Sequence, residues 1–320
     1  MAGSKRPIGE AGRLDDAARA GWLYYVAGNT QDEIARKLGV SRQSAQRLVS
    51  LAVTERLVKV RLDHPVAHCM ELSHALEAKY GLRICEVVPS DPEAPGLLTG
   101  IAIAGATEME RHLKSTKAKI MALGTGRALR ACVEQLPMMD CPQHRIVSLL
   151  GNMLSDGSAT PYNVVIRLAE RVGAGHYPMP LPVLARDEEE LRVLHSLEPV
   201  HNTLELCRQA DVTFVGVGQI DDRAPVVQDG FKTKDEIRDL QQAGVVGEIT
   251  SWAFDAQGHV LEGGVNRLVA SAPLIVKSDR PVIGVASGAA KVGAIRGALI
   301  GQLINGLITN EATAELILAD

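Results

Sequence analysis

The chain has 320 residues, 46% of them hydrophobic and only 3% aromatic, with a formal net charge of −4. That length accommodates a small domain and one larger domain with a substantial core, and the scarcity of aromatics argues against capture of single strands by base stacking. The overall charge argues against a nucleic-acid partner, but its distribution does not: residues 1–65 carry eleven Lys and Arg against seven Asp and Glu, a net +4, leaving −8 for the remainder. A basic head on an acidic body suggests that the head alone meets phosphate.

In chain order, residues 1–12 are small and polar and are expected to form a disordered tail, with a DNA-binding domain over 13–63. Residues 14–27 predict a helix, with Trp22 and Tyr25 in its core face. Thr30 and Glu33 have capping-box spacing and open a helix that ends near Leu38. Gly39 supplies a left-handed turn, and Ser41 caps a second helix. Ile34, Leu38, Val40, Ala45 and Leu48 are the apolar positions expected to lock the pair. Arg42, Gln43, Ser44, Gln46 and Arg47 are left facing outward near the start of the second helix, where a helix-turn-helix module carries its base-contacting side chains. Arg matches guanine and Gln matches adenine edges in the major groove. Residues 57–62 alternate apolar and basic, a strand-like wing that sets Lys59 and Arg61 toward phosphate. The partner this predicts is double-stranded DNA.

A helix over 66–80, with Val66, Met70, Leu72 and Leu76 at helical spacing, is expected to link the domains within residues 64–82. Residues 83–320 then alternate between strand and helix. Strands are predicted at 83–88, 119–123, 145–150, 212–217, 249–254 and 282–286. Helices are predicted near 97–116, 126–136, 161–173, 187–209, 233–243 and 288–303. Such alternation implies a mostly parallel sheet covered on both faces, and hence an α+β multidomain chain with a Rossmann-like α/β body. Ligands of such sheets bind outside the carboxyl ends of the strands, and the glycines gather there. Gly124-Thr125-Gly126-Arg127, Gly151-Asn152, Gly216-Val217-Gly218-Gln219 and Ser287-Gly288 each follow a predicted strand. Glycine turns at helix N-termini expose N–H groups to anions. Lys291 lies in a first helical turn, where the dipole disfavours a cation, unless an anionic or hydroxyl-rich ligand or a carboxylate such as Glu248 faces it.

Cys69, Cys85, Cys132, Cys141 and Cys207 are odd in number and form no CxxC pair, as expected of reduced thiols in a cytoplasmic protein. The histidines lack ligand spacing, and no motif for a nicotinamide, a P-loop nucleotide or zinc is present, so neither cofactor nor metal is expected. No apolar run long enough to span a bilayer and no signal peptide is seen, so no membrane partner is expected.

Three stretches carry a resemblance. ALGTGRAL (122–129) resembles a GxGxT sugar or phosphate loop, and GVVGEITSWAFDAQG (244–258) is similar to a GAVGDI segment followed by FDxxG. VIGVASGAAKVGAIRGALIGQLINGLITNEATAELIL (282–318) is similar to a long VIGVAGG ending. The chain resembles the SorC/DeoR type of bacterial sugar-responsive transcriptional regulators over about residues 15–318. The resemblance implies a winged helix-turn-helix joined to a sugar-binding domain related to sugar-phosphate isomerases, with a sugar, polyol or sugar phosphate as effector. It also implies assembly into dimers or tetramers through the ligand domains. Carried over by position, the ligand groups are Gly124, Thr125, Gly126, Arg127, Gly151, Asn152, Gln219, Asp229, Glu248 and Lys291. The sequence departs from the family pattern at Ala128, Glu248, Ser287 and Asn310. The alternative is an isomerase- or aldolase-like enzyme using Lys291 as a Schiff base. The DNA-reading head argues against it, and no catalytic residue is assigned.

Overall fold

The structure, a computed structural model, describes all residues except 1–9, 56, 59–65, 95, 154–156, 160–161, 225–226, 228–232 and 320. It divides into two compact units, Met1–His64 and Pro65–Asp320.

Among its described residues the first unit holds three helices: α1 (Glu10–Tyr25), α2 (Gln31–Leu38) and α3 (Arg42–Thr54). Residues 10–12, expected in the tail, are therefore helical. Thr30 and Glu33 form the capping box, and Gly39 closes α2 in the left-handed conformation at φ 66°. Ser41 caps α3 by accepting from the Ser44 N–H. Ala45, Val49 and Ala52 are buried one helical turn apart and set the inward face of α3. Ile34 is fully buried between them and α1, with Leu38 and Leu48 packed half-buried around it. Two expectations are corrected. Val40 is exposed: the left-handed turn at Gly39 carries it out of the seam, and Ala35 and Val49 take its place. Trp22 and Tyr25 are also exposed, at 56% and 40%. α1 meets α3 through small residues instead; a Cβ on Gly21 would lie 2.8 Å from that of Ala52. That close approach leaves the aromatics on the far side of the helix. The predicted wing residues Lys59 and Arg61 lie outside the described residues.

The second unit is built on a seven-stranded sheet of β1 (Ile84–Val88), β2 (Ile120–Leu123), β3 (Arg145–Met153), β4 (Gly175–Pro182), β5 (Val212–Val215), β9 (Val282–Val285) and β10 (Gly306–Asn310). Its order is β1-β10-β9-β5-β2-β3-β4, and every neighbouring pair is parallel. A smaller antiparallel sheet contains β6 (Gly218–Gln219), β7 (Val245–Ile249) and β8 (Trp252–Asp255). The helices are α4 (Ala67–Tyr80), α5 (Thr99–Leu113), α6 (Arg127–Gln135), α7 (Val164–Val172), α8 (Glu188–Ser196), α9 (Glu198–Arg208), α10 (Lys234–Gln242), α11 (Val292–Ile300) and α12 (Glu311–Leu318).

Two apolar cores form on opposite faces of the main sheet. Helices α4, α9, α11 and α12 contribute to one, and α5, α6 and α7 to the other. Successive strand residues serve both cores: in β2, Met121 and Leu123 enter the second, and Ala122 the first. Burial on both faces explains why these strands read as continuous apolar runs.

The differences from expectation have local causes. The predicted strand at 249–254 is the tip of a hairpin, because Thr250 and Ser251 turn the chain between β7 and β8 at φ 50° and 73°. The predicted helix at 187–209 is two helices, broken at Leu197 with Pro199 in the first turn of the second. Two strands of the main sheet were not predicted. In β4, Pro178, Pro180 and Pro182 mask an edge strand, the position in a sheet where proline is tolerated. In β10, a five-residue buried run merges with the flanking apolar sequence. The helix within the predicted 64–82 linker belongs to the larger unit, where α4 packs on β1 and α12. It buries Cys69, Leu72 and Leu76, whereas Val66 and Met70 are exposed.

Strands β2, β3 and β4 advance in one direction across the sheet, and the chain then returns to place β5 on the opposite side of β2. The boundary between β2 and β5 is thus a topological switch point, where the loops after adjacent strands diverge and leave a crevice.

Candidate functional site

At this switch point a cavity of about 290 Å³ opens at the strand ends, near the lower bound of roughly 300 Å³ for small-molecule sites. Thr125, Gly126, Arg127 and Ala128 line it from the loop after β2, and Gly216, Val217 and Gly218 from the loop after β5. Ala286, Ser287 and Lys291 line it from the segment after β9, while Glu248, Thr250 and Ser251 descend from the hairpin. Leu98, Leu150, Tyr162, Val183 and Val285 supply apolar wall.

Two backbone features repeat. Gly126 and Gly288 adopt φ 118° and 116°, conformations that favour glycine, and each precedes a helical turn without a side-chain cap. The α6 N-terminus therefore presents uncapped N–H groups, the arrangement that favours anionic or polar ligand atoms. The charged groups are held individually. Lys291 Nζ donates to the Val217 carbonyl at 2.8 Å. Burial pushes its pKa below the ordinary lysine value; Glu248 opposes that shift and Arg127 adds to it. Glu248 accepts from the Ser251 N–H at 2.8 Å. Its close approach to β6 requires Gly218, where a Cβ would lie 2.1 Å from the Glu248 carboxylate. Arg127 Nε donates to the Tyr162 hydroxyl at 3.4 Å. Thr250 is 8% exposed, and its hydroxyl has no hydrogen-bond partner among the described residues. Two cations, a carboxylate and several hydroxyls converging on a partly apolar cavity suit a compact polyhydroxylated or anionic molecule.

On the first unit, Arg42, Gln43, Gln46 and Arg47 are exposed and Ser44 is half-buried, so α3 offers one polar, carboxylate-free face. Arg42 lies 3.5 Å from Asp32 with both groups exposed, a weak tie that a phosphate or base could displace. The Thr30 hydroxyl is committed to Glu33 in the capping box.

A family model described as "Putative sugar-binding domain" matches residues 64–319. The chain is 34% identical over 302 residues to the erythritol catabolism regulatory protein EryD of Brucella abortus (strain 2308), covering 94% of this chain and 96% of that one. It is 30% identical over 308 residues to the transcriptional regulator LsrR of Klebsiella pneumoniae, covering 94% and 92%. The full-length sorbitol operon regulator SorC from Klebsiella pneumoniae superposes with a TM-score of 0.69 at 27% identity, over 95% of this chain and 99% of that one. The chain belongs to the SorC/DeoR-type sugar-binding transcriptional regulators.

In this SorC/DeoR-type regulator the positions singled out in the sequence do not all meet. Thr125, Gly126, Arg127, Glu248 and Lys291 share the cavity. Gly124 lies beneath it, its N–H bonded to Phe214 and its Cα pressed by Thr250, whose methyl would be 3.2 Å from an added Cβ. Gly151 and Asn152, together with Gly124, line a smaller recess of about 30 Å³ beside α7 and β4, with Thr125 bordering both it and the cavity. At Gly151 an added Cβ would fall 1.9 Å from the Leu181 carbonyl, so this glycine is required by strand packing. Gln219 is buried in β6 behind the cavity wall, its carbonyl oxygen without a partner among the described residues. Asp229 lies outside the described residues. Sequence reasoning missed Thr250, Ser251 and Tyr162. The first two form a hairpin turn without the Asn-Gly or Asp-Gly signal that marks such turns, and Tyr162 sits among wall residues with no motif of its own. Among the described residues, no helix is long and apolar enough to cross a membrane.

Proposed function

We propose that this sugar-responsive DNA-binding regulator takes a small polyol or sugar, free or as its monophosphate, in the cavity at the β2–β5 switch point. Thr125, Gly126, Arg127, Glu248 and Lys291 are its polar contacts. The observation that carries this reading is Lys291: a half-buried cation, held by the Val217 carbonyl and close to Glu248, facing a cavity also lined by Arg127 and otherwise walled by glycine, hydroxyl and apolar groups. The 34% identity to a protein named for erythritol catabolism favours a short polyol as the parent structure.

The head is proposed to be a winged helix-turn-helix, with Arg42, Gln43, Ser44, Gln46 and Arg47 toward base edges and the turns at Thr30 and Ser41 toward phosphate, aided by Lys59 and Arg61. A closed dimer or tetramer would present two heads to half-sites spaced by whole helical turns. Relatives named as regulators disfavour an enzyme, and the Lys291 Nζ is engaged as a donor to a backbone carbonyl rather than free as a nucleophile.

The test is calorimetric titration of the full-length protein with erythritol, sorbitol and their monophosphates. The reading predicts saturable binding of at least one of the four. Heat-free titrations, confirmed by unchanged melting temperature, would remove the effector assignment.

A further inference from the structure

We propose that helix α12 couples the effector turn at residues 287–291 to the start of helix α4, with Thr313 and the pair Glu311 and Glu315 as its positioning contacts. The inference rests on the effector reading above. Thr313 is 1% exposed. Its hydroxyl accepts from the Gly288 N–H at 2.8 Å and donates to the Asn310 side-chain oxygen at 2.5 Å. Asn310 also caps α12 by accepting from the Thr313 N–H at 3.1 Å. The cap of the C-terminal helix and the turn that lines the cavity with Ser287 and Lys291 therefore share one hydroxyl whose donor and acceptor capacities are both used. The far end of α12 is tied to the same segment: Arg296, on the helix that follows Lys291, donates Nε to the Ile317 carbonyl at 3.2 Å and a second N–H to Leu316.

A different side of α12 reaches α4. Glu315 lies 2.9 Å from His68 Nε2 and Glu311 lies 4.0 Å from it, while Glu71 approaches His68 Nδ1 at 3.7 Å. His68 is the second residue of α4, directly after the segment that leads from the first unit. The two attachments differ in stiffness. Thr313, Ala314 and Ile317 are buried and hydrogen-bonded or packed into the core, whereas His68 and Glu315 are about half exposed. A shift of the 287–291 turn on ligand binding would carry α12 as a body, because packed interiors transmit displacement rather than absorb it. The exposed ionic contact to His68 is the part that yields, making the start of α4 the element whose state the effector biases.

The test uses the full-length protein, the duplex it selects from a random library, and whichever of erythritol, sorbitol and their monophosphates binds in calorimetry. Operator affinity is measured with and without that compound. Wild type should change by a factor in the range of about 5–150. His68→Ala and the double variant Glu311→Gln/Glu315→Gln should bind the compound and the duplex within about twofold of wild type, yet lose most of that factor. Thr313→Ser should retain it and Thr313→Val should not. A full response in the His68→Ala and double-glutamine variants overturns the relay while leaving the effector reading intact. A wild-type protein that binds no compound, or whose operator affinity ignores it, overturns both.

Discussion

Lys291, three residues past a glycine turn, donates its ammonium to the carbonyl of Val217 at 2.8 Å and so ties the loop after β5 to the segment after β9 across the proposed effector cavity. Burial makes this cation costly and Glu248 partly offsets the cost. Replacing it as Lys291→Met keeps the length of the side chain and removes the charge. Effector affinity should fall by at least tenfold, since hydrogen bonds to charged groups contribute about 1.5–3 kcal/mol, while operator affinity should be retained. Calorimetry and fluorescence anisotropy on the same preparation check both.

The same lysine gives a pH signature. Its folded pKa is lowered from 10.5, chiefly by burial. Between the folded value and 10.5 the unfolded chain holds a proton that the folded chain has released, so stability should rise with pH across that window. The Lys291→Met protein should lack this rise. Urea midpoints measured along an alkaline pH series compare the two.

Thr250 combines a left-handed backbone at φ 50° with a buried hydroxyl that lacks a partner among the described residues. A β-branched residue in that region is strained, and such strain concentrates at ligand clamps and switch regions. Thr250→Val preserves shape and removes the orphaned hydroxyl, so the ligand-free protein should become more stable by about 1 kcal/mol. Effector affinity should nevertheless fall if the hydroxyl meets the ligand after rotation. Denaturant titration and calorimetry separate the two effects; a lower denaturant midpoint would contradict the packing inferred at the hairpin tip.

Much of this site was legible in the sequence. The alternation of strand and helix gave the parallel sheet, and the turns after β2, β5 and β9 were marked by Gly124, Gly126, Gly216, Gly218 and Gly288. The head was equally plain, because Thr30, Gly39 and Ser41 act through local backbone chemistry. What stayed hidden depends on tertiary contact. Glycine has two meanings that sequence does not separate: Gly126 supplies a backbone conformation beside open space, whereas Gly151 avoids a collision with the Leu181 carbonyl. Trp22 was misjudged for a related reason, since the closeness of α1 and α3 is set by Ala20, Gly21 and Ala52 and not by hydrophobicity alone.

That distinction predicts different phenotypes for two alanine substitutions. Gly151→Ala places a Cβ 1.9 Å from a backbone oxygen and should destabilise the larger unit by more than about 3 kcal/mol, beyond the usual range for overpacking of about 1–3. Gly126→Ala meets no atom within 4 Å and should cost about 1–3 kcal/mol of backbone strain while weakening effector binding. Denaturation midpoints rank the pair, and equal losses would contradict the separate roles assigned to these glycines.

His68 provides a second titration. The hydrogen bond it donates to Glu315 raises its pKa above 6.5, with smaller support from Glu311 and Glu71. Its contact with α12 is therefore fully present below pH 6.5 and is lost as pH rises through the elevated folded value. Its side-chain NMR titration midpoint should lie above 6.5 in wild type and move down in Glu315→Gln. An unchanged midpoint would show that the pair is not formed in solution.

The central claim is that the cavity at the β2–β5 boundary and the DNA-reading head are thermodynamically linked. The most direct measurement is the affinity of full-length protein for its selected duplex with and without saturating effector, paired with effector affinity with and without that duplex. Linkage requires the same factor in both directions, in the range of about 5–150. Duplex affinity unchanged by an effector that demonstrably binds would contradict the account.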